Sequence, residues 1–388
     1  MLKLDKVVYY LLYAVIAIVF VSYIPFVYGS SLYDRCRIAV LGVMSLLSVL
    51  AIFKGSFFRD DLIRKLFVAF LIIAYEFLLF EAFELRYNLD DVRQLLIVLL
   101  CIIIGHSLRI DDKQIQNLCV FYSLFAVVLG IWVLVFYTGG ISFVGDRNSI
   151  DGKNQVGGIV ATGAALSLYN YLSSDCKKKL FLSLTVVLFF LSAIIRCRSA
   201  FSAFLFLSFF LLMKKYPVRK MIPLGLVLIA LYFIYKTQVD AFFADALMGS
   251  RGVEDIDDIS TGRVGRNRMG WSFLSNHFFE GELLQSANIP WIHNYLLLRL
   301  VRYGIWSLFF VFFYFVIAAR MVKEYMNTRT GRFEYRRIGF FVIAIPYFVS
   351  LLEPSYPFGP GTVQVFSYIL LGYSLRGSNL LIGDKNDI

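Results

Sequence analysis

The chain has 388 residues, of which 59% are hydrophobic, and its mean hydropathy is +0.72. These values lie far above those of a soluble domain and exclude an ordinary soluble enzyme or binding module. The net charge of +11 is also typical of nucleic-acid-binding proteins, but lysine and arginine are concentrated in short loops between apolar runs. That distribution is expected of a membrane protein, so no nucleic-acid partner is predicted.

Apolar runs of roughly 17–22 residues recur along the whole chain, and helices of this length cross the hydrocarbon core of a bilayer. The sequence therefore predicts an all-α, polytopic integral membrane protein that forms a single membrane domain over residues 1–388. About twelve membrane-spanning helices are predicted, near residues 7–28, 38–53, 66–82, 92–108, 116–138, 155–172, 180–195, 199–213, 219–236, 296–319, 338–352 and 362–376.

The positions of lysine and arginine also predict the orientation of the chain, because cytoplasmic loops carry an excess of both. They place both termini in the cytoplasm, and they place the longest loop, residues 237–294, on the outer face together with the turn at Arg196–Arg198. Within that loop, apolar residues recur every three to five positions from Met269 to Phe279. This spacing predicts a short amphipathic helix near 266–280 that lies on the membrane surface.

Small residues and one carboxylate stand out inside the predicted spans. Gly157, Ala161 and Ala165 are four residues apart in the sixth span, a pattern that lets helices approach closely in lipid and needs no further explanation. Glu76 lies in the third span, where a carboxylate is costly. A functional role and a purely structural one both remain open for Glu76.

Arginine and histidine residues cluster on the predicted outer face, in the turn and in the long loop: Arg196, Arg198, Arg263, Arg266 and His293. Guanidinium groups suit phosphate oxygens because they donate two parallel hydrogen bonds. An imidazole that titrates near neutrality can take a proton from a hydroxyl group. The arginines also fit interfacial anchors, and the histidine fits a satisfied residue at a helix end. Their joint occurrence on one face favours a site for a phosphorylated, lipid-linked substrate.

Motifs for nucleotide, zinc-protease and serine-hydrolase chemistry are absent from the sequence. The acidic run Glu254–Asp258 lacks the ordered alternation of a calcium-binding loop, and it is interpreted as a solvated loop. The sequence thus offers no motif for a metal or a cofactor.

The order of several short motifs resembles the O-antigen polymerase and O-antigen ligase family of bacterial envelope glycosyltransferases. The motifs are an R-S-A turn at Arg198–Ala200, T-G-R at Thr261–Arg263, H-F-F-E-G at His277–Gly281, H-N at His293–Asn294 and a leucine-rich stretch that closes with G-I at Leu297–Ile305. The resemblance covers about residues 190–315, and before them only the topology is similar.

The resemblance implies roles for the cations. In that family, arginines on the outer face bind the diphosphate of the glycan donor, and the histidine of the H-N pair acts as a base or positions the substrate. Carried over, Arg198 and Arg263 would hold the diphosphate and His293 would activate the acceptor hydroxyl. Arg196 adds a second arginine to the turn, and Arg266 is an alternative to Arg263, so the arginine that contacts phosphate stays open.

The resemblance also implies a weaker set of binding residues and a fold. Asn294, Lys153 and Asn154 are weaker candidates for substrate binding. No metal is implied, because the arginines would offset the charge of the leaving group. The implied fold is similar to that of the multi-spanning, GT-C type membrane glycosyltransferases that use lipid-phosphate donors.

The function implied is that of an O-antigen or capsular polysaccharide polymerase in the bacterial inner membrane, with the active site and the 237–294 loop on the periplasmic face. Such an enzyme would move a glycan from undecaprenyl diphosphate onto a lipid-linked repeat unit. Its partners would be this glycan, membrane lipid and a chain-length regulator protein. An O-antigen ligase that acts on lipid A–core is the alternative. A flippase is a weaker one, because the sequence shows no internal repeat.

Overall fold

All regular secondary structure in the computed structural model is helical within the residues that it describes. These are residues 3–53, 60–108, 110–138, 152–173, 177–217, 262–284, 292–328, 333–359 and 363–383, with the isolated residues 58, 219, 233, 234, 236, 237 and 240. The predicted span at 219–236 lies almost wholly outside them, and the acidic run at 254–258 lies wholly outside. The predicted all-α fold is confirmed for the described part of the chain.

Eight helices occupy the described residues up to position 217. They are α1 (Lys3–Ser22), α2 (Ser31–Phe53), α3 (Asp61–Ala82), α4 (Leu89–Ser107), α5 (Asp112–Thr138), α6 (Lys153–Ser173), α7 (Lys178–Ile194) and α8 (Arg198–Lys215). Their lengths range from 17 to 27 residues. Each contains most of one predicted span.

Six further helices lie in the described residues beyond position 262. They are α9 (Arg263–Asn276), α10 (Tyr295–Tyr303), α11 (Leu308–Asn327), α12 (Ile338–Val342), α13 (Ala344–Ser350) and α14 (Val365–Gly383). The predicted span at 338–352 corresponds to α12 and α13, and the predicted span at 362–376 falls mostly within α14.

Three of the described segments are long and apolar enough to cross a membrane: Ser31–Phe53, Asp112–Tyr137 and Tyr295–Asn327. Large apolar side chains are exposed on them, among them Phe53 at 85% and Phe136 at 55%. Apolar surface of this kind is expected where a helix faces lipid rather than water. The described helices are therefore those expected of a membrane protein.

The stretch predicted as one span at 296–319 is divided in the structure. Gly304 has a φ of 55° and begins a 3-10 turn that separates α10 from α11. The backbone of Phe278 and Gly281 packs against it, and a Cβ atom on Gly304 would lie 2.6 Å from the carbonyl oxygen of Phe278. Only glycine adopts this conformation at such a close approach without strain. Helix α10 is thus a separate element before the apolar helix α11.

Helix α6 is buried over most of its length and packs closely against its neighbours, as its small residues predict. A Cβ atom on Gly157 would collide with Cys197 in the α7–α8 turn, and one on Gly158 would collide with the hydroxyl of Tyr356. The absence of side chains at these two positions lets the turn and the segment after α13 pack directly onto α6.

The ends of the long helices meet in two layers. At one end, the hydroxyl of Tyr356 donates to the backbone oxygen of Asn154 at 3.2 Å, next to the α7–α8 turn. At the opposite end, Lys215 donates to the carbonyl oxygen of Leu172 at 2.7 Å, in the last turn of α6. Helix α1 runs parallel to α5 and begins at that opposite end, where the later part of α14 also lies. The first layer is called the site end below.

Candidate functional site

Helix α9 carries two of the predicted arginines, one turn apart. It begins after Gly262, whose φ of 74° suits glycine and places Arg263 as the first helical residue. Nη2 of Arg263 lies 2.7 Å from Oε1 of Glu353, and their side chains are 21% and 8% exposed. The arginine is therefore held by a buried carboxylate from the segment that follows α13.

Glu353 was not identified from the sequence. Burial raises the pKa of its carboxyl, while Arg263 and then Lys153 act in the opposite direction. Glu353 thus pairs with α9, and the charge of Lys153, the first residue of α6, also acts on it. The signal in the sequence was weak, because Glu353 is a single carboxylate between an apolar run and Pro354.

His293 contacts the second arginine of α9. Nη1 of Arg266 lies 2.8 Å from Nε2 of His293. A guanidinium group has no acceptor, so Arg266 donates and Nε2 accepts, which places the ring proton on Nδ1. The backbone N–H of His293 donates to Oδ1 of Asn267 at 3.3 Å. Two residues of α9 therefore position His293, which lies about 26 residues further along the chain.

The surroundings of His293 make its imidazole neutral at neutral pH. Burial, and after it the charges of Arg263 and Arg266, lower the pKa of His293 to about 4. A neutral imidazole can accept a proton, whereas an imidazolium cannot. The histidine is thus in the protonation state that a base requires.

Asn294 acts within the fold. Its Oδ1 accepts from the backbone N–H of Leu297 at 3.0 Å and so caps α10, while Nδ2 donates to the carbonyl oxygen of Leu351 at 3.3 Å. An asparagine at this position satisfies one of the free N–H groups of a helix N-terminus. Asn294 therefore fixes His293 next to the end of α13, and both of its polar groups are engaged by the protein.

Lys153, Asn154 and the α7–α8 turn meet at the N-terminus of α6. The Sγ atom of Cys197 lies 3.6 Å from Oδ1 of Asn154. Cys197 is buried, and its thiol pKa is raised by burial. Lys153 is half-buried, and its positive charge acts to lower the pKa of both Cys197 and Glu353. Two of the weaker candidates, Lys153 and Asn154, thus lie at the start of α6, where Asn154 contacts the α7–α8 turn.

Arg196 and Arg198 lie on either side of Cys197 and are half-buried. Arg196 has a φ of 57°, a left-handed conformation that costs a non-glycine residue energy. Arg198 is the first residue of α8. The structure thus brings both to the site end beside Asn154, whereas Arg263, Arg266 and His293 form the directly connected part of the site.

The helix predicted near 266–280 is present as α9, but it starts three residues earlier, so that both arginines lie on it. Its apolar residues do not form one face. Leu274 is buried against α10, while Met269 is 59% exposed and Phe279, beyond the helix, is 69% exposed. His277 lies 2.8 Å from Glu280 and stacks on Phe273, which is a local role.

A second buried group of charges holds α10 in place. Asp91, near the start of α4, accepts hydrogen bonds from Arg299, from Arg302 at 3.2 Å and from the hydroxyl of Tyr303 at 2.7 Å. Asp91 and Arg299 are 4% and 2% exposed. This network anchors the helix that His293 and Asn294 precede, and it was not predicted from the sequence.

Among the described residues, no group of three histidine, cysteine, aspartate or glutamate side chains is arranged to hold a metal ion. The chemistry of the described site is cationic: Lys153, Arg263 and Arg266 surround one buried carboxylate and one neutral histidine. Such a site is suited to anions that carry several oxygen atoms, above all phosphates.

A scan of known protein families found no model that matches this chain. A search of curated proteins found no matching relative.

Proposed function

We propose that this protein is a membrane glycosyltransferase that polymerises lipid-linked repeat units of an O-antigen or capsular polysaccharide. It transfers a glycan from undecaprenyl diphosphate onto the sugar of another lipid-linked unit, at the periplasmic face of the bacterial inner membrane. The observation that carries this proposal is the contact between Arg266 and His293, made inside a cluster of cations. The resemblance of residues 190–315 to the polymerase and ligase family supplies the reaction.

The reaction needs a base and a counter-charge. A hydroxyl oxygen of the acceptor attacks the anomeric carbon of the donor sugar, the bond between that carbon and the diphosphate oxygen breaks, and the diphosphate leaves with the electron pair. The hydroxyl proton passes to His293, which is neutral and can accept it. Arginine side chains donate to the diphosphate oxygens and offset the charge that develops on the leaving group. The step requires neither metal nor cofactor.

The charges of the site favour Arg266 over Arg263 as the main phosphate ligand of α9. Arg263 is neutralised by Glu353 at 2.7 Å. Arg266 is held by a neutral imidazole, and within the described residues it has no carboxylate partner. Its charge is therefore available to an incoming anion. Arg198 and Lys153 complete the binding set from the α7–α8 turn and the start of α6.

The membrane arrangement belongs to the same proposal. In this arrangement the chain has about twelve spans and a fold similar to that of the GT-C type membrane glycosyltransferases. Both termini lie in the cytoplasm, and the site end lies in the periplasm. The shared end of the α7–α8 turn, α9 and His293 supports this arrangement. A reporter fused within residues 237–261 tests it, because a cytoplasmic signal from that position would contradict the proposed orientation.

The surface glycan of a deletion strain tests the reaction. On a gel, loss of a polymerase leaves lipid A–core with a single repeat unit, and we expect this pattern. Bare core would instead indicate that the protein is the ligase, which uses the same donor with another acceptor. An unchanged ladder would contradict both.

A further inference from the structure

The contact between Arg266 and His293 blocks the proposed base. Nη1 of Arg266 donates to Nε2 of His293 across 2.8 Å, so the lone pair of Nε2 is occupied. The ring proton is then on Nδ1, which can only donate. In this arrangement neither nitrogen of the imidazole is available to take a proton from a hydroxyl group.

The second ring nitrogen of His293 is not held. Nδ1 is buried and has no hydrogen-bond partner among the described residues. Catalytic histidines are usually oriented by an acceptor on the nitrogen that does not react. Here the described side-chain hydrogen bond that fixes the ring comes from Arg266, so withdrawal of Arg266 releases both the lone pair and the ring.

The charges around the pair favour its opening by an anion. Arg263, one turn before Arg266 on α9, is paired with Glu353, and Lys153 faces Glu353 from α6. Arg266 is met by the neutral ring of His293. A diphosphate carries negative charge and can accept two parallel hydrogen bonds from one guanidinium group, whereas the neutral imidazole accepts one, so a diphosphate competes well with His293 for Arg266.

We infer that Arg266 is a substrate-released lock on His293: the diphosphate of the lipid-linked donor draws Arg266 away from Nε2 and frees the imidazole lone pair for the acceptor hydroxyl. The inference rests on the proposed function. It sets an order of events in which the donor binds before His293 becomes a base. No covalent bond changes in this step.

Nuclear magnetic resonance of the full chain in detergent, labelled with ¹⁵N only at histidine, tests the lock. The chain has three histidines, and His106→Gln and His277→Gln assign the other two. Before addition of anion, we expect the Nδ1–H tautomer of His293 with a hydrogen-bonded Nε2. Inorganic diphosphate should shift the Nε2 signal and raise the pKa of His293 above about 4, because the charge of Arg266 then no longer lowers it, while burial and Arg263 still do. Sodium chloride at equal ionic strength should do neither.

Two variants on α9 complete the experiment. Arg266→Gln should raise the pKa of His293 without any anion, and diphosphate should then have little further effect. Arg268→Gln, an exposed position on the same helix, should behave like the wild type. Unchanged signals of His106 and His277 show that each variant is folded.

The outcomes separate the lock from the proposed function. If diphosphate binds by calorimetry in an Arg266-dependent manner while the His293 signals stay unchanged, the lock is wrong and the donor site stands. An Nε2–H tautomer in the free protein also overturns the lock, because Arg266 cannot donate to a protonated nitrogen. If wild-type protein does not bind diphosphate at all, the donor site and the lock both fail.

Discussion

Glu353→Gln removes the buried negative charge of the site end while it keeps the shape of the side chain. Glu353 pairs with Arg263 at 2.7 Å, and the two side chains are 8% and 21% exposed. At the opposite end of the bundle, Glu324 pairs with Arg320 at 3.0 Å, with side chains 7% and 20% exposed. Glu324→Gln is therefore a control that is matched in burial and in pairing.

The two substitutions should cost similar amounts of stability. Loss of one partner of a buried ion pair costs about 3–5 kcal/mol when the other charge is stranded. Here glutamine keeps an oxygen that accepts from the arginine, and solvent reaches part of each guanidinium group. We therefore expect about 1–2 kcal/mol for each variant. Glu324 also faces Arg337 at 3.4 Å, so Glu324→Gln is expected to be at least as destabilising as Glu353→Gln.

The two variants should differ in the donor concentration that half-saturates the enzyme. Glu353→Gln removes the negative charge that neutralises Arg263, so the half-saturating donor concentration should fall about five- to tenfold, which corresponds to about 1–1.4 kcal/mol. Glu324→Gln should leave it unchanged. Thermal unfolding in detergent measures the shared cost, and transfer rates per folded molecule measure the difference. Equal donor dependence in both variants would refute the placement of Glu353 in the site.

Three further predictions concern stability, and thermal unfolding of the purified protein measures each of them. The pKa of His293 is about 4 in the folded protein and about 6.5 in the unfolded chain, which therefore binds the proton more readily. Stability should fall as the pH drops from 6.5 to 4, and His293→Asn should abolish about 1–2 kcal/mol of that loss after allowance for solvent screening. Gly157→Ala should cost about 1–3 kcal/mol because its Cβ atom collides with the α7–α8 turn, whereas Gly42→Ala, with nothing within 4 Å of its Cβ atom, should be neutral or stabilising. Asp91→Asn should cost about 3–5 kcal/mol because it strands a buried arginine of α10, whereas the exposed Asp90→Asn should stay within about 0.5 kcal/mol. Equal effects within either pair of variants, or an unchanged pH profile for His293→Asn, would contradict these assignments.

The helices were predictable because their apolar runs are long and nearly free of charge. The sequence also predicted that the Arg196–Arg198 turn and His293 lie at the same end of the bundle, because an even number of predicted spans separates them. The break at Gly304 was not, since a close approach of Phe278 and Gly281 creates it. Backbone contacts between separate segments leave no periodic pattern in the sequence.

Within the site, the sequence grouped Arg263, Arg266 and His293 but did not distinguish between the two arginines. The difference comes from Glu353, a residue about 90 positions beyond Arg263 whose burial is set by tertiary packing. The ion pairing of Asp91 was not predicted for the same reason, because its partners on α10 lie more than 200 positions away. Single carboxylates carry no motif, so their roles became visible only with the fold.

The most direct test of the account is transfer by purified protein in phospholipid vesicles. Lipid-linked repeat units extracted from the deletion strain serve as both donor and acceptor. We expect wild-type protein and Arg268→Ala to lengthen the glycan, while His293→Ala slows lengthening by about 10²–10⁴-fold, as expected for loss of a general base. Arg266→Ala should slow it by about tenfold or more, as expected for loss of a charged hydrogen bond. Full lengthening by both of these variants would contradict the proposed site.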